Sequence, residues 1–112
     1  MVRTHTDPPS VDVMFKALAD PTRRQLYEQL VLREGSVARL TEFARVSQPA
    51  VSQHIAALRR AGLLVERKLG RSTYYRAKPE ALAPLVDWIA IQNRLWHDAL
   101  RRLDKLLKDT CK

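Results

Sequence analysis

Ser47–Leu64 reads SQPAVSQHIAALRRAGLL, and a basic segment, Arg67–Ala77 (RKLGRSTYYRA), follows almost at once. Ser47 is suited to cap a helix whose first turn accepts Pro49. Val51, Ile55 and Leu58 then recur at spacings of four and three, the apolar stripe of one buried helix face. With Val51 turned inward, Pro49, Gln53, Ala56 and Arg60 fall near the opposite side, and Ser52 flanks them. Small and amide side chains ending in arginine make poor core material. They suit the major groove of DNA, where Gln pairs with a base edge and Ser serves a base or a phosphate. The spacing predicts a recognition helix.

The neighbouring segments supply a scaffold for such a helix. Val11–Leu18, with Met14, Phe15 and Leu18 on one side, reads as a short helix. Asp20-Pro21 is a start signal, the cap at Asp20 and proline at the first helical position. Leu26, Tyr27, Leu30 and Val31 make this second helix amphipathic, and Gly35 is expected to end it. Ser36 caps a third helix carrying Val37, Leu40, Phe43 and Ala44, which stops near Val46. Only a few residues then precede Ser47, so two helices meet through a tight turn, as in helix-turn-helix. Ala61-Gly62 ends the fourth helix, glycine tolerating the left-handed position. Leu63–Leu69 and Ser72–Ala77 read as two strands joined by Gly70-Arg71, a two-residue turn with Gly first. That hairpin is a wing with Arg71 at its tip.

The chain of 112 residues has 20 basic and 12 acidic side chains, a formal charge of +8. This balance points to a polyanion, either nucleic acid or an acidic membrane surface. Arg59, Arg60, Arg67, Lys68, Arg71, Arg76 and Lys78 stand together against the single acid Glu66. Clustering directly behind the recognition helix favours double-stranded DNA over a merely solvated face. Met1–Ser10, with Pro8 and Pro9, is expected to be a flexible arm (residues 1–10) ahead of one domain over residues 11–112. No apolar run reaches membrane-spanning length, and no signal-peptide core is present. One cysteine, Cys111, allows no internal disulfide and fits a reducing cytoplasm. Glycine-rich phosphate loops, paired carboxylates and nucleophile–base pairs are lacking, so catalysis is not expected.

From Pro79 the pattern returns to helix, about 79–108, with Pro84 marking a kink or a restart. Leu82, Leu85, Ile89, Gln92, Trp96, Ala99, Leu103 and Leu106 alternate spacings of three and four, and Trp88, Ile91 and Leu95 widen the stripe. This is more apolar surface than one helix on a small domain hides. It predicts a homodimer seam through Leu85, Ile89, Trp96, Ala99 and Leu103. The alternative is that both tryptophans close the core of the monomer.

The blocks FKALADPTRRQLYEQL, SQPAVSQHIAALRRAGLL and GRSTYYRA, in this order, resemble the ArsR/SmtB repressors of bacteria across nearly all of Val13–Ala77. The tail VDWIAIQNRLWHDALRRLDKLL looks like the SdpR-related subgroup. The resemblance implies a mainly α winged helix-turn-helix fold (α-α-α-α-β-β-α), dimeric through the terminal helices. It also implies a homodimeric, autoregulatory repressor on an inverted-repeat operator, without a bound metal or other cofactor. The family's DNA-reading positions fall on Ser47, Gln48, Pro49, Ser52 and Gln53, and its wing contact on Arg71, supported by Arg67 and Lys68. Arg45 departs from the pattern, since many relatives have Gly in that turn. A left-handed arginine costs on the order of 1 kcal/mol.

The metal sites of this family need thiolates in the third helix or an Asp/His set across the last. Here the third helix offers Val37, Leu40 and Thr41, which do not ligate a soft metal. Asp87 and His97 stand ten apart, roughly 15 Å along a helix, and Ile89 occupies the spacing of the missing histidine. His97 with Asp98 reads as a surface pair, and His54 as a residue that packs or touches a phosphate. A metal- or redox-responsive sensor is the nearest alternative, and a winged-helix protein-docking module the alternative from another class. The inducer or partner protein is not legible.

Overall fold

Three helices of the first part of the chain begin where a side chain replaces a missing backbone partner. The computed structural model describes residues 11–110, and the expected arm at 1–10 and Cys111 lie outside them. The elements are α1 (Val11–Ala19), α2 (Pro21–Leu32), α3 (Val37–Ala44), α4 (Gln48–Arg60), β1 (Leu64–Leu69), β2 (Ser72–Ala77), a 3-10 turn (Pro79–Leu82) and α5 (Ala83–Thr110). This is the mainly helical fold with a two-stranded antiparallel hairpin that the sequence predicts. The described residues fall into two compact units that divide between Leu82 and Ala83.

In the first unit, the Asp20 carboxylate accepts from the Arg23 amide at 3.0 Å and opens α2. Ser36 accepts from Arg39 N at 3.2 Å and opens α3. Ser47 accepts from Ala50 N at 3.3 Å and opens α4. Three residues, Arg45–Ser47, separate α3 from α4. Arg45 takes φ 57° and ψ 30°, the left-handed conformation, and its amide bonds back to Thr41 O. The turn needs that conformation to stop α3 and aim the chain into α4, although arginine is not suited to it.

The core consists of Met14 and Ala17 from α1, Leu26, Tyr27 and Leu30 from α2, Leu40 from α3, and Val51, Ile55 and Leu58 from α4. Ala61, Leu63 and Ala77 close it beneath the hairpin. Each large aliphatic side chain buried this way contributes about 1.5–3 kcal/mol. Phe15 and Phe43, expected inside, are 43% and 46% exposed, and Met14, Ala17 and Leu40 fill those helix faces instead.

Two boundary expectations are corrected. Helix α2 ends at Leu32, with Arg33 already extended, so Gly35 does not terminate it. Gly35 is buried and forms a bridge with Tyr75, and its φ is not left-handed. The early exit frees residues 33–35 to run alongside β2. The second correction concerns Pro79: the turn that it opens is 3-10, and α5 restarts at Ala83 with Pro84 in its first turn, where a missing amide costs nothing.

The second unit is α5, 28 residues long. Trp88 and Trp96 on this helix are 42% and 62% exposed. Ile89, Ile91, Leu95, Leu103, Leu106 and Leu107 are exposed as well. Asp98 pairs with Arg101, one turn on, rather than with His97, and Lys108 pairs with Asp104 at 3.1 Å. No described helix is long and apolar enough to cross a membrane.

Replacing Arg45 with glycine removes the strain of the left-handed turn, and the exposed side chain gives up no described contact. Arg45→Gly is expected to stabilise the fold by about 1 kcal/mol, a rise in Tm of roughly 4–8 °C for a domain of this size. Thermal unfolding followed by circular dichroism checks it; an unchanged or lower Tm contradicts the strain.

Candidate nucleic-acid interface

The rotation of α4 is set by its buried side. Val51, Ile55 and Leu58 are at most 2% exposed, so Ser47, Gln48, Pro49, Ser52 and Gln53 stand in solvent. The structure brings these five together at the N-terminal end of α4 and its cap, where the helix begins to project. A helix end of this kind also carries a partial positive charge, favourable to phosphate.

A second layer holds that orientation. Arg23 of α2 donates through Nε to Nδ1 of His54 on α4 at 3.4 Å, and through Nη1 to the carbonyls of Lys16 and Ala17, each at 3.3 Å. One guanidinium therefore ties α1, α2 and α4. His54 is half-buried and engaged with Arg23, so it faces inward rather than toward a ligand. The Asp20 carboxyl beneath this group is held below its ordinary range, chiefly by the hydrogen bond from the Arg23 amide.

Beyond α4 the chain turns through Gly62, at φ 77°, into the hairpin. The register pairs Leu64 with Ala77, Arg67 with Tyr74 and Leu69 with Ser72. Gly70 takes φ 62° and Arg71, beside it at the tip, is exposed. Among the described residues, Arg60, Lys68 and Arg71 enter no ion pair. Arg59 does, with Glu66 at 3.2 Å.

The supporting pair of the wing is divided. Successive strand residues point to opposite faces, so Arg67 and Lys68 cannot support one contact from the same side. Lys68 is an exposed cation that enters no ion pair among the described residues. Arg67 is bound within the chain, its guanidinium donating to both carboxylate oxygens of Glu34 at 3.0 and 2.5 Å and lying 5.4 Å from the centre of the Tyr74 ring. Glu34 is the functional neighbour that sequence reading missed; it is 33 positions from Arg67, and no local pattern joins them. Its carboxyl is held below the ordinary glutamate range, first by this hydrogen bond. Among the described residues no group of three or more His, Cys, Asp or Glu side chains could hold a metal ion.

A capped helix with amide and hydroxyl side chains outward, reached by a tight turn and followed by a basic hairpin, defines a winged helix-turn-helix DNA-binding protein. A family profile described as a helix-turn-helix domain matches residues 18–67. The chain is 40% identical over 96 residues to the arsenic resistance transcriptional regulator ArsR1 of Pseudomonas putida, covering 80% of this chain and 74% of that protein. It is 37% identical over 98 residues to the HTH-type transcriptional regulator Rv2034 of Mycobacterium tuberculosis, covering 88% and 89%. The solved ArsR-like transcriptional regulator from Rhodococcus sp. RHA1 matches with a TM-score of 0.74 at 27% identity, over 85% of this chain and 90% of that one. The chain belongs to the ArsR family of helix-turn-helix transcriptional regulators. It is a DNA-binding regulator and not an enzyme.

The Glu34–Arg67 pair has a defined pH response. Because the folded-state pKa of Glu34 is depressed, its contribution is complete above the ordinary glutamate pKa and is lost as pH falls through the lower folded value. Titration of the Glu34 carboxyl carbon by NMR is expected to give a midpoint below that of an ordinary glutamate. Arg67→Gln should return it to the ordinary range; a midpoint that does not move contradicts the pairing.

Proposed function

We propose that the protein is a homodimeric repressor that binds an inverted-repeat operator, acts on its own promoter and carries no metal sensor. The observation that carries the reading is the outward presentation of Gln48, Pro49, Ser52 and Gln53 on a helix whose other face is sealed in the core. Ser47, Gln48, Pro49, Ser52 and Gln53 read the major groove, with Arg71 on the adjacent backbone or minor groove and Lys68 as a nearby charge. In this reading residues 11–112 form the DNA-binding module, with residues 1–10 an arm before it, and the protein works in the cytoplasm at the nucleoid.

The dimer rests on α5, whose apolar stripe through Leu85, Ile89, Trp96, Ala99 and Leu103 is mostly exposed in the single chain. A two-fold pair places two recognition helices in successive major grooves about 34 Å apart. Metal independence is supported by the donor inventory: the lone cysteine is at 111, α3 carries no thiol, and Ile89 stands where a further ligand is needed. Similarity to an arsenic resistance regulator favours a second reading, a metalloid-responsive repressor, which needs soft ligands.

Genome-wide selection of bound DNA with a chelator present tests both. Recovery of one inverted repeat, upstream of the protein's own gene, is the expected result. Recovery only when metal or metalloid is supplied, or of sites without symmetry, overturns the corresponding part.

Gln53→Ala is expected to weaken operator binding by about 1–3 kcal/mol and to leave random-sequence binding nearly intact. Arg71→Ala should weaken both alike and flatten the salt dependence. Equal losses for Gln53→Ala on both duplexes contradict the placement of the reading face. Replacement of Trp96 and Leu103 by glutamate is expected to give monomers that bind the operator poorly, since a helix seam tolerates little charge. Light scattering that still shows a dimer moves the interface off this stripe.

A further inference from the structure

Besides the Arg59–Glu66 pair that ties β1 to α4, the wing is gripped on both strands by the turn before α3. Glu34, between α2 and α3, receives both hydrogen bonds of the Arg67 fork from β1. Its neighbour Gly35 exchanges backbone hydrogen bonds with Tyr75 of β2, at 2.9 and 2.8 Å. Tyr74, the cross-strand partner of Arg67, supplies a ring face to the same guanidinium. Residues 34 and 35 therefore hold one strand by a side chain and the other by the backbone.

An isolated surface ion pair stabilises little. This one differs in kind, because a two-toothed fork fixes orientation as well as distance and the stacked ring limits its rotation. A two-stranded hairpin alone is marginal, and Arg71 lies roughly 10 Å beyond Arg67 by strand rise. A loose root swings the tip through a distance comparable with the width of a groove.

We propose that Glu34 is a positioning residue for DNA binding: acting through Arg67, it fixes the angle of the wing to α4, so that Arg71 meets the duplex while α4 occupies its groove. This role rests on the DNA-binding mode proposed above. It makes an acid necessary for binding a polyanion. Removing an acid ordinarily tightens such binding by raising the positive charge, and E34Q also releases Arg67. The grip predicts the opposite sign.

The test uses the full chain as wild type, E34Q, R67Q, the double variant E34Q/R67Q and the exchanged pair E34R/R67E. Affinities are measured by anisotropy on the selected operator duplex, with hydrogen exchange followed at the Tyr75 amide. E34Q and R67Q are each expected to lose about three- to tenfold in affinity, the double variant no more than either, and the exchanged pair less than R67Q. Tyr75 exchange should accelerate in E34Q. An E34Q protein that binds as tightly as wild type or tighter, additive losses, or an exchanged pair weaker than R67Q assigns Arg67 to phosphate and overturns the proposal. Unchanged Tyr75 exchange in E34Q overturns the grip itself. A wild-type chain that selects no duplex fails the DNA-binding mode instead, and the positioning role with it.

Discussion

Burial of Val51, Ile55 and Leu58 is the constraint on which the rest of the structure depends. At 3.6 residues per turn, three side chains on one stripe leave the helix no freedom of rotation. A turn of one residue in either direction would bury polar groups such as Ser52 and expose leucine, at a cost of several kcal/mol. Gln48, Pro49, Ser52 and Gln53 therefore face outward as a consequence of packing. The cap at Ser47 and the left-handed Arg45 then fix where the helix begins. Strain at Arg45 is tolerated because the surrounding core over-determines the turn.

Charge is arranged in two tiers around this helix. Arg23, Arg59 and Arg67 are occupied by the protein itself, tying α2 to α4, α4 to β1 and the hairpin to the turn before α3. Arg60, Lys68 and Arg71 enter no ion pair among the described residues and lie at the end of α4 and along the wing. The positive surplus of the chain is thus partly internal scaffold and partly available field. A count of arginines in the basic segment overstates the second and hides the first.

Features encoded within four residues were legible in the sequence: the caps Asp20, Ser36 and Ser47, the positive-φ glycines at 62 and 70, and the stripe of α4. Each pairs a residue type with a nearby backbone need, so no distant partner is required. Gly35 misled because glycine after an apolar run usually ends a helix; here it lies close against β2, 40 positions on. The partner of Arg67 was hidden for a similar reason. The Arg67 guanidinium is held by Glu34, which only the folded chain brings within reach. Phe15 and Phe43 share stripes with buried residues, and which member of a stripe is sealed depends on neighbouring helices, not on its own.

Backbone amide shifts, mapped by NMR as the selected operator duplex is added, test the central claim most directly. The account predicts that the largest changes fall on Ser47–Gln53 and on the wing tip around Gly70–Ser72, with the buried positions of α4 following weakly. Changes centred on α1 or α5, with residues 47–53 unmoved, would contradict the assignment of α4 as the helix that reads DNA.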